Sequence, residues 1–262
     1  MNKILKWSLN FLAVIVALVL IYIAVPAFPH LLFNYKITHK NFTFYSDQKF
    51  ADDFADYMLE VEQRIEGLEV YDSTFSPDIF ICSDESLYDF FAFWVMVNEN
   101  SQAFNLSLLN NTFVNLTRVN NLRYYHDQRL RYTHLNGELS QVIAHELVHN
   151  LDCRFIGFGE YTDKPVWKRE GYAEYGSTIN FIKMDNKYNL FKRASFYFEN
   201  DLFNAPEHSK RYYKYQLMVE YLFTEKGYGF ELLSKTSLRE DEVFRELKSW
   251  YDRKKTELKE QI

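Results

Sequence analysis

The stretch His145-Glu146-Leu147-Val148-His149, followed after twenty intervening residues by Glu170 within Trp167-Lys168-Arg169-Glu170-Gly171-Tyr172-Ala173-Glu174-Tyr175, decides the reading of this chain. Histidines at i and i+4 on a helix lie on one face about a turn apart, where both imidazoles can share one zinc ion. Leu139, Val142, Ile143, Leu147 and Leu151 recur at helical spacing around them, which predicts a core helix beginning near Glu138. These residues already supply a buried stripe, which weighs against the histidines being mere core residues satisfied by local partners. Glu146 is turned toward the side of the same ion, where it can act as a general base.

A catalytic zinc requires a third protein ligand and an open position. Glu170 meets the requirement, on a second predicted helix opened by Pro165, with Gly171 and Ala173 small enough for close packing against the first. Glu174, one turn further on, falls on the same face and can accept the free N–H of His145, fixing its tautomer. Two carboxylates on one helix are more often solvated surface, but here Trp167, Tyr172, Ala173 and Tyr175 surround them.

Outside this region the chain has 262 residues, 47% of them apolar and 18% aromatic, enough for a substantial core. Its 36 acidic and 30 basic residues give a net charge of -6 and are interspersed, so no basic stripe exists to bind nucleic acid. Cys82 and Cys153 sit in no CxxC pair and are expected to be buried small residues, with a disulfide between them as the alternative in an oxidising compartment. His30, His39, His126 and His134 lie at no ligand spacing, and the Asn-x-Ser/Thr matches at Asn41, Asn105, Asn110 and Asn115 are incidental.

The N-terminus reads as a membrane segment. Trp7 to Phe28 carry no charge, and 22 residues in a helix rise about 33 Å, enough to cross a hydrocarbon core. The length, and the poor match of Val25-Pro26-Ala27 to a cleavage site, favour an uncleaved anchor over a signal peptide. Lys3 and Lys6 keep residues 1–6 cytoplasmic, although Lys36 and Lys40 weaken the asymmetry, and the bulk of the chain is expected at the cell membrane on the extracytoplasmic side.

Residues 37–135 read as an α+β lobe, with strands at Phe42 to Tyr45, Ile79 to Cys82, Ala103 to Leu106 and Thr112 to Thr117. Helices are predicted from Lys49 to Glu66, closed by Gly67, and from Leu87 to Val97. Residues 136–262 read as a helical lobe, with later helices at Pro165 to Thr178, Tyr212 to Lys226 stopped by Gly227, and Glu240 to Lys255.

The HExxH followed by WxxEGxAEY resembles the gluzincin branch of zinc metallopeptidases, the thermolysin and aminopeptidase N group, over about residues 138–176. The resemblance implies one Zn2+ held by His145, His149 and Glu170, with Glu146 as catalytic base. It also implies a zincin-like α+β domain over residues 37–262, with a small mixed sheet and a mainly helical C-terminal lobe. Metzincins are excluded, because Asp152 and Phe155 stand where they carry Gly and His. The twenty-residue spacing is longer than usual, so the connection through Gly157 and Gly159 is expected to differ. The absence of a G-x-M-E-N stretch points away from an exopeptidase, toward an endopeptidase resembling the peptidase-MA-like bacterial proteins.

The expectation is a membrane-anchored zinc metallopeptidase acting on a peptide or protein substrate through a zinc-activated water. The alternatives are a membrane-tethered, non-catalytic binding or scaffold protein of the same fold, or a zinc hydrolase of a non-peptide bond. An oxyanion donor is expected from a later helix, with Tyr212, Tyr213, Tyr215 and His208 as candidates. Either Ala103 to Leu106 or Thr112 to Thr117 is the candidate edge strand for aligning substrate.

Overall fold

The computed structural model describes residues 3–52, 54–98, 101–123, 138–184, 189–199 and 207–260. His126 and His134, and the side chain of His208, lie outside what is described. The chain opens with α1 (Lys3–Ala27), which contains a stretch, Asn10–Ala27, long and apolar enough to cross a membrane. A short 3-10 turn, Pro29–Leu32, leads into the domain.

A small mixed sheet follows, built from β1 (Tyr35–His39), β2 (Phe42–Ser46), β3 (Asp78–Cys82), β4 (Ala103–Leu106) and β5 (Asn111–Asn115). Its order is β1-β2-β3-β5-β4, with parallel pairing of β2 to β3 and of β3 to β5, and antiparallel pairing at both edges. Alternation sends successive side chains to opposite faces. Phe44, Ile79, Ile81 and Val114 join the main core, while Phe80, Cys82, Phe104 and Phe113 join a second, aromatic cluster on the other face.

Helix α2 (Phe54–Ile65) belongs to the main core, and α3 (Glu85–Trp94) covers the aromatic cluster. A short α4 (Leu116–Arg123) ends the described part of the first half. From Glu138 onward every described element is helical: α5 (Leu139–Ile156), α6 (Phe158–Asp163), α7 (Val166–Met184), α8 (Leu190–Glu199), α9 (Glu207–Glu225), α10 (Phe230–Lys235) and α11 (Glu240–Glu260). The fold is thus α+β, and one continuous core running from Phe42 to Tyr251 joins the two halves. Arg64 of α2 ties them further: its buried guanidinium donates to Ser140 Oγ of α5 at 3.2 Å and to the Ser177 carbonyl of α7 at 2.9 Å.

Several boundaries differ from the sequence expectation for local reasons. Helix α2 begins at Phe54 rather than Lys49, because Ser46 Oγ holds the Gln48 N–H and the Asp47 carboxylate takes the N–H groups of Ser83 and Asp84, fixing that segment as a turn. Helix α3 starts two residues early, capped by Asp84 on the Ser86 N–H at 2.8 Å, and stops short of Val97 because Met96 adopts φ +55°. Strand β5 ends at Asn115, whose side chain accepts the Arg118 N–H and starts α4, so Leu116 and Thr117 are helical. The disulfide is not formed: Cys82 and Cys153 are both free and buried, Cys82 in the aromatic cluster and Cys153 on α5, which packs on the other face of the sheet. Strand β1 and helices α4, α6, α8 and α10 are additions to the elements that the sequence predicts.

Gly67 and Gly227 end α2 and α9 as expected, with φ +84° and +70°. Gly171 has a different duty, since α7 passes so close to α9 there that a Cβ would lie 2.7 Å from the Tyr215 carbonyl oxygen and 2.9 Å from Val219 Cγ2. Backbone atoms cannot swing aside, so Gly171→Ala is expected to cost about 1–3 kcal/mol. Thermal unfolding followed by circular dichroism should show Tm lowered by roughly 2–10 °C; an unchanged Tm would mean that α7 and α9 are not held at this distance.

Candidate metal centre

Helices α5 and α7 pack together and bring the residues singled out in the sequence to one point. His145 Nε2 and His149 Nε2 lie 3.1 Å apart, and Glu170 Oε2 lies 3.4 Å from each. His145 Nδ1 faces Glu174 Oε1 at 3.2 Å. With Nδ1–H donated to that carboxylate, His145 Nε2 carries a lone pair, and it points to the same spot as His149 Nε2 and the Glu170 oxygen. Three donor atoms crowded in this way repel one another unless a cation or proton sits between them.

The separations fit a metal. Tetrahedral zinc with bonds of about 2.0–2.2 Å places neighbouring donors about 3.3–3.6 Å apart, close to the triangle seen here. His145, His149 and Glu170 are also the group whose ligand atoms come within metal-sharing distance among the described residues. Electrostatics point the same way. Burial disfavours the His145 charge, but Glu174, Glu170 and Glu146 outweigh it and hold the imidazole well above its usual range. Burial likewise disfavours the Glu170 anion, yet the His149 and His145 imidazoles hold its carboxyl far below the usual range. A cation arriving here meets an anion and competes with protons for His145.

Glu174 is 4% exposed and the only carboxylate on His145 Nδ1 among the described residues, so it sets which imidazole nitrogen faces His149 and Glu170. Glu174→Gln is expected to weaken zinc binding about 10–100-fold while leaving the stoichiometry intact at saturating metal, as read by competition with a chromophoric chelator. An unchanged affinity would remove Glu174 from the site. His149 Nδ1, by contrast, is buried and has no hydrogen-bond partner among the described residues.

Glu146 is half-buried on the same rim, and its Oε2 accepts from Asn105 Nδ2 at 2.9 Å. Asn105 is held in turn by Ser107 Oγ. It lies on β4, which the sheet order makes the edge strand; β5 is interior. Of the two strands that sequence left open for aligning substrate, β4 is therefore the one at the edge of the sheet among the described residues, and its Asn105 side chain reaches Glu146.

The tyrosines separate as well. Tyr213 is buried and donates to the Arg193 carbonyl, and Tyr215 donates to Glu240, both partners other than His145, His149 and Glu170. Tyr212 is half-buried, and its hydroxyl is pushed up by burial and then by Glu170, with smaller contributions from Glu174 and Glu146, which puts it in the field of the site. Tyr161, not singled out in the sequence, stands with its ring 6.2 Å from that of His149, and the Arg169 guanidinium lies over the Tyr161 ring, 5.5 Å from its centre. It belongs to α6, which fills the long connection through Gly157 and Gly159. Asp152 is paired inside the protein with Lys164, Nζ lying 2.7 Å from both carboxylate oxygens, and so joins α5 to the start of α7. His39 bonds Glu62 at 3.0 Å, far in sequence from the ligands.

No protein-family model matches this chain, and no curated protein sequence matches it.

Proposed function

We propose that this chain is a membrane-anchored zinc metallopeptidase of the gluzincin type with a zincin-like fold, in which His145, His149 and Glu170 hold one zinc ion and Glu146 is the general base. The observation that carries the reading is the convergence of His145 Nε2, His149 Nε2 and Glu170 Oε2 within 3.4 Å, with Glu146 following His145 on α5 and its charge acting on that imidazole. When bound, zinc supplies a Lewis acid and a water whose pKa is lowered to about 7. Glu146, as general base, would take a proton from the attacking water and return it to the departing amine. Asn105, donating to Glu146 Oε2, leaves the other carboxylate oxygen for the proton. The edge position of β4 among the described residues favours a polypeptide substrate, which would pair there as an added strand, over a non-peptide one.

Tyr212 is the residue we assign to stabilising the oxyanion. Tyr212→Phe should lower kcat about 100-fold with zinc content unchanged. Loss of the same size in Tyr161→Phe but none in Tyr212→Phe would move the role to Tyr161.

Helix α1 is read as an uncleaved anchor, supported by two contacts of its C-terminal end with the domain, Trp94 Nε1 to the Tyr22 carbonyl and Asn111 Nδ2 to the Pro26 carbonyl. The lysines before it favour an extracytoplasmic domain. The test of the whole reading is elemental analysis of the full chain in detergent, with hydrolysis of an unstructured protein measured before chelation, after it and after zinc is restored. About one zinc per chain and chelator-sensitive hydrolysis are expected. A folded chain without zinc would sink the reading. Zinc without hydrolysis would leave the tethered scaffold or the non-peptide hydrolase.

A further inference from the structure

Pro26 sits inside α1, and its missing N–H leaves the carbonyl of Tyr22, four residues earlier, without its helical partner. In a membrane such a carbonyl has no water to turn to. Trp94, at the end of α3, supplies the bond: Nε1 donates to the Tyr22 oxygen at 2.7 Å, and the two rings stack at 5.5 Å. The Pro26 carbonyl, left open where α1 ends, accepts from Asn111 Nδ2 at 2.9 Å, and Val25 packs on the aromatic cluster. Three consecutive contacts therefore fix the domain on the end of the apolar helix.

This docking sets a depth. Tyr22 lies five residues inside the end of α1, about 7.5 Å along the helix axis. Trp94 is bonded at that level, so its neighbours lie there too. They are not built for water: Phe90 to Val97 is an uncharged run, Phe93 is 78% exposed and Met96 85%. Around the same end of α1, Leu31 after the span and Leu108 in the β4–β5 turn are 80% and 68% exposed, and the turn, Ser107 to Asn110, is also uncharged.

We propose that the C-terminal end of α3, together with the β4–β5 turn, is inserted in the interfacial layer of the lipid bilayer that α1 crosses, so that the domain is seated on the membrane rather than held off it by a tether. The occupant of this apolar surface is lipid, because the surface is continuous with the span and is pinned to it by backbone carbonyls that only a neighbouring side chain can satisfy in that medium. The inference rests on α1 crossing the membrane, not on any catalytic activity. It brings the edge strand β4, and with it the Asn105 contact to Glu146, next to the bilayer surface.

The test uses the full chain in phosphatidylcholine vesicles, spin-labelled singly at Phe93→Cys, Met96→Cys or Leu108→Cys. Arg239→Cys serves as an aqueous control and Val16→Cys as a control within α1. Both native thiols are buried, so the parent chain gives the background labelling. Collision rates are measured with oxygen, which enters lipid, and with a water-soluble nickel chelate. The expected result is a nickel rate at Phe93, Met96 and Leu108 several-fold below that at Arg239, with oxygen access retained. Nickel access equal to that at Arg239, while Val16 excludes nickel, overturns the seating and leaves the span standing. Nickel access at Val16 as well overturns the span and the seating together. Low access to both reagents with dipolar broadening between labels would put a second copy on the surface and overturn the lipid assignment.

Discussion

Glu146→Gln is expected to lower kcat by about 10³- to 10⁴-fold while the chain keeps its zinc. The substitution preserves shape, and the glutamine carbonyl can still accept from Asn105 Nδ2, so neither the fold nor the three ligands should change. What it removes is the ability to take and return a proton. A single carboxylate serves both the attacking water and the leaving amine in the proposed reaction, which places the loss at the upper end of what general acid–base catalysis contributes. Turnover of an unstructured protein, with zinc measured on the same preparation, gives the answer. Activity within tenfold of the parent would rule Glu146 out as the base.

Glu170→Gln acts on the other half of the site. It deletes the only anionic member of the ligand triangle and leaves two neutral imidazoles to hold the ion. Changes behind the ligands typically cost 10–100-fold in metal affinity, so loss of a ligand should exceed about 100-fold. Competition with a chromophoric chelator reads the affinity directly. Parent-like affinity would show that Glu170 is not a ligand. The same titration has a pH signature: a proton held on His145 above its usual range competes with the metal, so affinity in the parent should rise as pH rises through the range of that imidazole.

Much of this centre was legible in the chain because it depends on local geometry. The i, i+4 spacing of His145 and His149 fixes their common face wherever the helix forms, and the same spacing joins Glu170 to Glu174. The apolar stripe of α5 follows from a period of 3.6, and β3 from a short apolar run, Ile79 to Cys82, bounded by turn residues. Boundaries were less legible. Asp47 holding Ser83 and Asp84, and Asn115 capping α4, are side-chain bonds that no period encodes.

Asn105 and Tyr161 illustrate a different limit. Each is an ordinary polar or aromatic residue in its own segment, and each reaches the site only through the meeting of distant elements, β4 with α5 and α6 with α5. The edge status of β4 is of the same kind, since it depends on β5 pairing with β3 on its inner side, across the intervening α3 and β4.

By itself, then, the sequence determined the helices that carry His145, His149 and Glu170, the types of donor atom they offer, the carboxylate proposed to transfer protons and the apolar length of α1, all consequences of residue chemistry and short-range periodicity. Only the tertiary structure decided that the donors meet within 3.4 Å, that β4 rather than β5 lies at the sheet edge among the described residues, and how Trp94 and Asn111 join the end of α1 to the domain. Those are contacts between residues tens of positions apart, set by how helices and sheet pack, and no local pattern fixes them.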